Sequence, residues 1–217
     1  MRSKIFTLLE LLIVIAIMAL LISILFPALA KVKAKAAQIS CISNLKSVGL
    51  AHVNYMNDYD SYLVMTYNFR SPSRHWFFTS YLGQYLMPSF NDIYWPDVKA
   101  YPMIHCPALR TTSSVTVPTS FIYGCNISVC GYYNDAAAND GPFKAQALGS
   151  PTEKIIGGDA SGPDHNAIMH KNASHLGNAD RFVHDKQANH LFLDIHVSGS
   201  NVTEVLSMQA RNYFQHP

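Results

Sequence analysis

Charge is what this sequence has least of. Of its 217 residues only 14% are Asp, Glu, Lys or Arg, where globular domains carry about 25%. The 16 basic and 14 acidic side chains leave a formal net charge of +2. That is too small for a surface that tracks a phosphate backbone, so no nucleic acid is expected as a partner. Enzyme signatures are missing as well: there is no G-x-S-x-G, H-E-x-x-H, P-loop or dinucleotide-binding glycine pattern. The segment Gly158-Asp159-Ala160-Ser161-Gly162-Pro163 reads as a polar turn, and the chain is expected to be no enzyme and to need no cofactor. Internal repeats and low-complexity runs are absent too. Disorder is excluded by what is there: 49% of residues are hydrophobic, and 11 Phe, 12 Tyr and 2 Trp supply material for a core.

The low charge is unevenly spread. From Leu11 to Ala30, 20 residues, no side chain is charged and only Ser23 is polar. About 20 apolar residues are what a helix needs to cross a bilayer core of about 30 Å. Arg2 and Lys4 precede the run and Lys31, Lys33 and Lys35 follow it, so the flanking charges do not orient it. A plain anchor and a secretory signal cut after Ala28-Leu29-Ala30 are two readings. Both leave Glu10 without a role. A carboxylate in an apolar helix costs about 2.5–3.5 kcal/mol at mid-membrane and less near the interface, so an ionisable side chain there calls for a partner.

A third reading supplies one. Phe6-Thr7-Leu8-Leu9-Glu10-Leu11-Leu12-Ile13-Val14-Ile15-Ala16-Ile17 resembles the prepilin signature shared by type IV pilins and type II secretion pseudopilins. The resemblance implies cleavage by a prepilin peptidase between Ile5 and Phe6, methylation of the new amino group, and pairing of Glu10 with the terminal amine of a neighbouring subunit. Ile5 stands where the family usually has Gly, and Pro27 where it often has a helix-kinking proline.

Beyond Ala30 the apolar positions Ile39, Ile42, Leu45, Val48, Ala51, Tyr55 and Tyr59 recur every three or four residues, which predicts an amphipathic helix. With no proline between Lys31 and Met56, the membrane helix is expected to continue into water as one rod of about 75 Å, with Gly49 its weak spot. From Ser61 onward aromatic clusters alternate with Pro, Gly, Asn and Asp, and no long helical periodicity appears. The expected class is therefore α+β: a long N-terminal helix, half membrane-embedded and half amphipathic, packed on an antiparallel β-sheet head. The division is leader 1–5, transmembrane or filament-core helix 6–30, amphipathic continuation 31–59 and head 60–217.

In His190-Leu191-Phe192-Leu193-Asp194-Ile195-His196-Val197 every second residue is aliphatic, which predicts one continuous strand. The same stretch resembles the processing-associated H-x9-D-G motif of a large group of bacterial prepilin-like proteins, with His184 followed after nine residues by Asp194. Ile195 stands where that motif has Gly, so no tight turn is expected there. Ser40-Cys41-Ile42-Ser43-Asn44-Leu45-Lys46 is similar to the group's C-x-x-N-L-K stretch.

Four cysteines, Cys41, Cys106, Cys125 and Cys130, in a head placed outside the cytoplasm allow three disulfide pairings. Cys41 with Cys106 and Cys125 with Cys130 are the favoured ones, and free buried thiols are the alternative. The absence of C-x2-C spacing argues against zinc. No metal is assigned; the side chains that would offer one are His190, Asp194 and His196, with His184 and Asp159 within possible reach, but positions spread along a strand over about 20 Å do not converge on one ion. The sequons at Asn126, Asn172 and Asn201 are short enough to arise by chance, and the aromatics from Trp76 to Trp95 read as core.

The function expected is a pilin-like subunit: a single-pass inner-membrane precursor with its head outside the cytoplasm, then a periplasmic or cell-surface filament. Its partners would be other pilin-like subunits, the prepilin peptidase, an inner-membrane assembly platform and the lipid bilayer. The rivals are a membrane-tethered envelope or glycan-binding module and a secreted metal-dependent hydrolase built on the C-terminal His/Asp residues.

Overall fold

The structure is a computed structural model that describes residues 7–68, 74–75, 82–86, 102–104, 106–108, 123–131, 142–159, 168–169 and 184–211. The chain divides into two compact units, Met1–Ala36 and Ala37–Pro217, and the boundary falls inside one helix. That helix, α1, spans Leu8–Asp58, 51 residues, and runs through Pro27 without interruption.

Both ends of α1 are specified locally. At its start the Thr7 N–H and hydroxyl donate to Glu10 Oε2 at 2.8 and 2.9 Å, and the Glu10 N–H donates to Thr7 Oγ1 at 3.2 Å. This reciprocal capping box satisfies amides that a helix N-terminus would otherwise leave unpaired. At the other end the Ser61 N–H donates to the Met56 carbonyl at 2.7 Å, with Asp60 at φ 48. That is the Schellman closure, with Asp60 in the left-handed slot usually held by Gly.

Every buried residue of α1 lies between Gln38 and Tyr55. The buried face is Gln38, Cys41, Leu45, Val48, His52 and Tyr55, spaced three and four apart, with Gly49 and Ala51 beside it. Two positions of the expected stripe fall off it: Ile39 is 59% exposed and Tyr59 45%. Three polar or weakly apolar residues, Gln38, Cys41 and His52, take places that a count of hydrophobic residues passes over.

The second unit is built on strands. A two-residue ladder joins β1 (Tyr67–Asn68) to β2 (Arg74–His75), and a short helix α2 (Gln84–Leu86) follows. The main sheet contains β3 (Tyr123–Asn126), β4 (Ile155–Asp159), β5 (Ile168–Met169), β6 (Ala188–Phe192) and β7 (Val197–Ser200), in the order β5-β3-β4-β6-β7; α3 (Ile127–Cys130) follows β3 directly. β3, β4, β6 and β7 are antiparallel, as the α+β class predicts, and the two-residue edge strand β5 runs parallel to β3. All five residues of β4 and of β6 are buried. β4 lies close enough to β6 that a Cβ on Gly158 would sit 2.4 Å from the Asn189 carbonyl oxygen. Its sequence, Ile-Ile-Gly-Gly-Asp, is the local answer to that crowding. Leu45, Val48 and Tyr55 of α1 join Tyr123, Ile156 and Leu191 in one hydrophobic core.

Two expectations for the C-terminal region are corrected. Residues 190–197 do not form one strand: β6 ends at Phe192 and β7 begins at Val197, closed by the Ile195 N–H donating to the Phe192 carbonyl at 2.9 Å. Ile195 itself takes φ 66, so the tight turn is present where a glycine would ordinarily make it. A β-branched residue there costs about 1–2 kcal/mol. Tertiary packing offsets the cost, because Ile195 lies against the one helix position without a side chain. A Cβ on Gly49 would come within 3.2 Å of Ile195 Cγ2 and 3.0 Å of Leu191 Cδ1. The second correction is a nine-residue helix, α4 (Val202–Ala210), in a region without long helical periodicity. It opens on its own capping box: the Asn201 N–H donates to Glu204 Oε2 at 2.8 Å and the Glu204 N–H to Asn201 Oδ1 at 3.0 Å.

Candidate functional site

Two features carry chemistry, one in each unit. In the first, the large apolar side chains from Leu8 to Leu29 are 42–89% exposed around the whole circumference of α1. This segment is long and apolar enough to cross a membrane. Glu10 sits at its start, held by Thr7. The proposed cleavage residues Ile5 and Phe6 lie outside the described residues. Thr7-x-x-Glu10 is the sequence signature of a capping box, so Glu10 has a local role beside its place in the apolar run.

In the second unit four donors from four distant points of the chain meet. Cys41 comes from the buried face of α1, Cys106 from the turn after a 3-10 segment at Pro102–Ile104, Asp159 from the last position of β4, and His184 from the turn that leads into β6. Their ligand atoms all lie within 4.8 Å of one another. Cys41 Sγ donates to Asp159 Oδ1 at 3.0 Å, Cys106 Sγ lies 3.2 Å from His184 Nε2, and His184 Nε2 lies 3.5 Å from Asp159 Oδ2. Exposure is 0% for Cys41, 1% for Cys106, 1% for Asp159 and 4% for His184.

A surrounding set of groups holds these side chains. The Asn189 N–H donates to Asp159 Oδ2 at 2.8 Å, the Asn189 side-chain amide to Cys41 Sγ at 3.4 Å, and the Tyr123 hydroxyl to the Cys41 carbonyl at 3.3 Å. His184 is carried on a two-residue turn: His184 and Gln187 exchange backbone hydrogen bonds at 3.1 Å, with Asp185 at φ 53 and Lys186 at φ 64.

Burial and mutual repulsion set the electrostatics. Burial, reinforced by the nearby Cys106 sulfur, pushes the Asp159 carboxyl up to about 6. The hydrogen bond from Cys41 draws the Cys106 thiol below its usual range, and the same bond, with burial and the Asp159 charge, drives the Cys41 thiol up. Three acidic groups thus share one buried space with one imidazole.

All four cysteines are free and buried. The favoured disulfides are not formed, although the favoured pairs are the ones brought together: Cys41 with Cys106, and Cys125 with Cys130, where Cys125 Sγ lies 3.1 Å from Cys130 Sγ. Cys130 Sγ also donates to the Ile156 carbonyl at 3.5 Å. His184 and Asp159 do approach each other, but in company with Cys41 and Cys106. The alternation-based set His190, Asp194 and His196 is split: His190 is buried within β6, while His196 Nδ1 meets Asp194 Oδ1 at 2.5 Å at the exposed turn and stacks on Phe192 at 4.0 Å. The H-x9-D pair, His184 and Asp194, therefore serves two places. Asn126 is fully buried and donates to the Ile155 carbonyl at 2.7 Å, which leaves no room for a glycan. Asn172, and the Trp76 to Trp95 aromatics apart from residues 82–86, lie outside the described residues. No local pattern marks Tyr123, whereas Asn189 lies in the Ala188-Asn189-His190-Leu191-Phe192 stretch that is in register with the H-x9-D-G motif, which assigns it no role. Compared with protein-family models, curated proteins and solved structures, the chain has no match.

Proposed function

We propose that the chain is a pilin-like structural subunit, a single-pass inner-membrane precursor cut before Phe6 and assembled through its N-terminal helix into a type IV pilus or type II secretion pseudopilus. One observation carries the reading. The first part of α1 is apolar on every side and exposed on every side, between 42% and 89% at its large side chains. A helix without a polar face has no stable place in water and must be covered by lipid or by other apolar helices. Leaving the bilayer for a filament core exchanges the first cover for the second. In that core an ionised Glu10 needs an opposite charge, and the amine of a neighbouring Phe6 supplies it, since an unpaired buried carboxylate is strongly penalised.

The mature N-terminus tests the processing step. Mass spectrometry of the purified protein should find a methylated chain beginning at Phe6; a chain beginning at Lys31 would overturn the proposal. Two substitutions then separate the roles of Glu10. Glu10→Gln keeps an acceptor for Thr7 but removes the charge, whereas Thr7→Ala removes the cap and keeps the charge. Loss of filaments in Glu10→Gln with filaments retained in Thr7→Ala is the expected pair of results. Normal filaments from Glu10→Gln would reduce Glu10 to a helix cap.

A further inference from the structure

We propose that Cys41, Cys106, Asp159 and His184 bind one zinc ion in a closed tetrahedral site that pins α1 to the β-sheet. The inference is independent of whether the chain polymerises.

The donor set is the first argument. Two sulfurs, one imidazole nitrogen and one carboxylate oxygen suit borderline Zn²⁺, which takes S, N and O ligands in tetrahedral array. An all-oxygen set would point to calcium or magnesium, and four thiolates would be open to an iron–sulfur cluster. Distance is the second. Bonds of about 2.0–2.3 Å in a tetrahedron place ligand atoms about 3.3–3.8 Å apart. The separations here are 3.0 Å for Cys41 Sγ to Asp159 Oδ1, 3.2 Å for Cys106 Sγ to His184 Nε2 and 3.5 Å for His184 Nε2 to the other carboxylate oxygen, Asp159 Oδ2. The four ligand atoms, all within 4.8 Å of one another, therefore lie within about 1 Å of tetrahedral separations.

Support from outside the four ligands is the third argument. Structural metal sites orient their ligands through a surrounding layer of hydrogen bonds. Here one residue, Asn189, holds two of them, with its backbone N–H on Asp159 Oδ2 and its side-chain amide on Cys41 Sγ. The His184 turn spends two left-handed non-glycine residues, Asp185 and Lys186, on placing the imidazole. Charge is compatible with it: a divalent ion held by two thiolates, a carboxylate and a neutral imidazole leaves a residual charge near −1.

The site is structural in kind. All four positions are supplied by protein and all four residues are buried, so no coordination position is left for a water or a substrate. It also explains why the chain brings one cysteine from the helix and three ligands from the head to a single point. A metal there joins elements separated by 65, 53 and 25 residues in sequence and adds its binding free energy to folding.

The test uses the full chain purified in detergent under reducing conditions. Elemental analysis should find one zinc per chain, and removal by a strong chelator should lower the thermal midpoint of the head, with recovery on adding zinc. Titration of the metal-free chain with Co²⁺ should reach one equivalent and show the visible bands of a tetrahedral ion together with thiolate-to-cobalt charge transfer. His184→Ala and Asp159→Asn should lose the equivalent, and His196→Ala, at the exposed turn, should keep it. The cobalt spectrum of the unsubstituted chain decides the matter even where a ligand variant fails to fold. A reduced, metal-free chain that takes up no Co²⁺ would overturn the site. So would a Cys41–Cys106 disulfide found by non-reducing peptide mapping of protein taken from its own compartment.

Discussion

Residues 8–36 and 37–58 belong to one helix and face opposite physical problems. Every buried residue of α1 lies in the second part, and the first part is exposed throughout. Both parts share one backbone hydrogen-bond ladder, and α1 continues through Pro27 although proline supplies no N–H to it. Burial does not. The second part has one face turned to a sheet and places polar residues on it, each against something specific: Cys41 on Asp159 and Gln38 on Gln187. The first has no preferred face, and its single carboxylate is drawn to the helix terminus and held by Thr7. The comparison shows that a helix is a local object while its hydrophobic face is defined by whatever covers it.

That contrast can be broken by substitution, beginning with the core. Leu45→Ala removes a fully buried side chain and should destabilise the head by about 2–5 kcal/mol in urea unfolding. The same change at Leu21, 60% exposed in the other part, should leave the head's unfolding midpoint unmoved. Gly49→Leu should be next. Its Cβ alone would meet Leu191 Cδ1 at 3.0 Å and Ile195 Cγ2 at 3.2 Å, and overpacking of this kind costs about 1–3 kcal/mol. A midpoint unchanged in Gly49→Leu would mean that α1 can lift from the sheet at little cost.

A smaller effect is expected at the start of the helix. Thr7→Ala removes the cap and should cost about 1 kcal/mol, visible as faster amide exchange over residues 8–11 with no change in the head. The smallest change should be a gain. Lys186 is exposed at φ 64, so Lys186→Gly relieves the left-handed backbone without losing packing and should stabilise the head by roughly 0.5–1 kcal/mol. A midpoint that falls instead would show that the Lys186 side chain, and not its backbone, supports the His184 turn.

Much of the fold was legible. The amphipathic continuation, expected over 31–59 and ending at Asp58, follows from periodicity, and the strand-rich head from aromatic clusters set between turn residues; the Thr7-x-x-Glu10 and Asn201-x-x-Glu204 caps can be read by eye. The β6–β7 hairpin was hidden because Ile195 preserves the alternation of a strand while adopting a backbone that isoleucine avoids. Only its seat against Gly49, 146 residues earlier, makes that conformation worth its cost. Hydrophobicity also placed Ile39 and Tyr59 inside, but the buried face runs through Gln38 and Cys41, which turns Ile39 aside, and Tyr59 lies past the end of α1.

The cluster was the least legible feature. Its members stand at 41, 106, 159 and 184 with no short spacing to mark them, and His184 had been grouped with strand neighbours that the hairpin separates. By itself the sequence determined where α1 begins and ends, which stretch needs a covering other than water, and where one charge stands in an apolar run. These depend on neighbours within a few residues. Which cysteine meets which carboxylate, which glycine receives which isoleucine, and which histidine turns inward were decided by the tertiary structure, because each depends on chain segments that become neighbours only when the sheet closes on the helix.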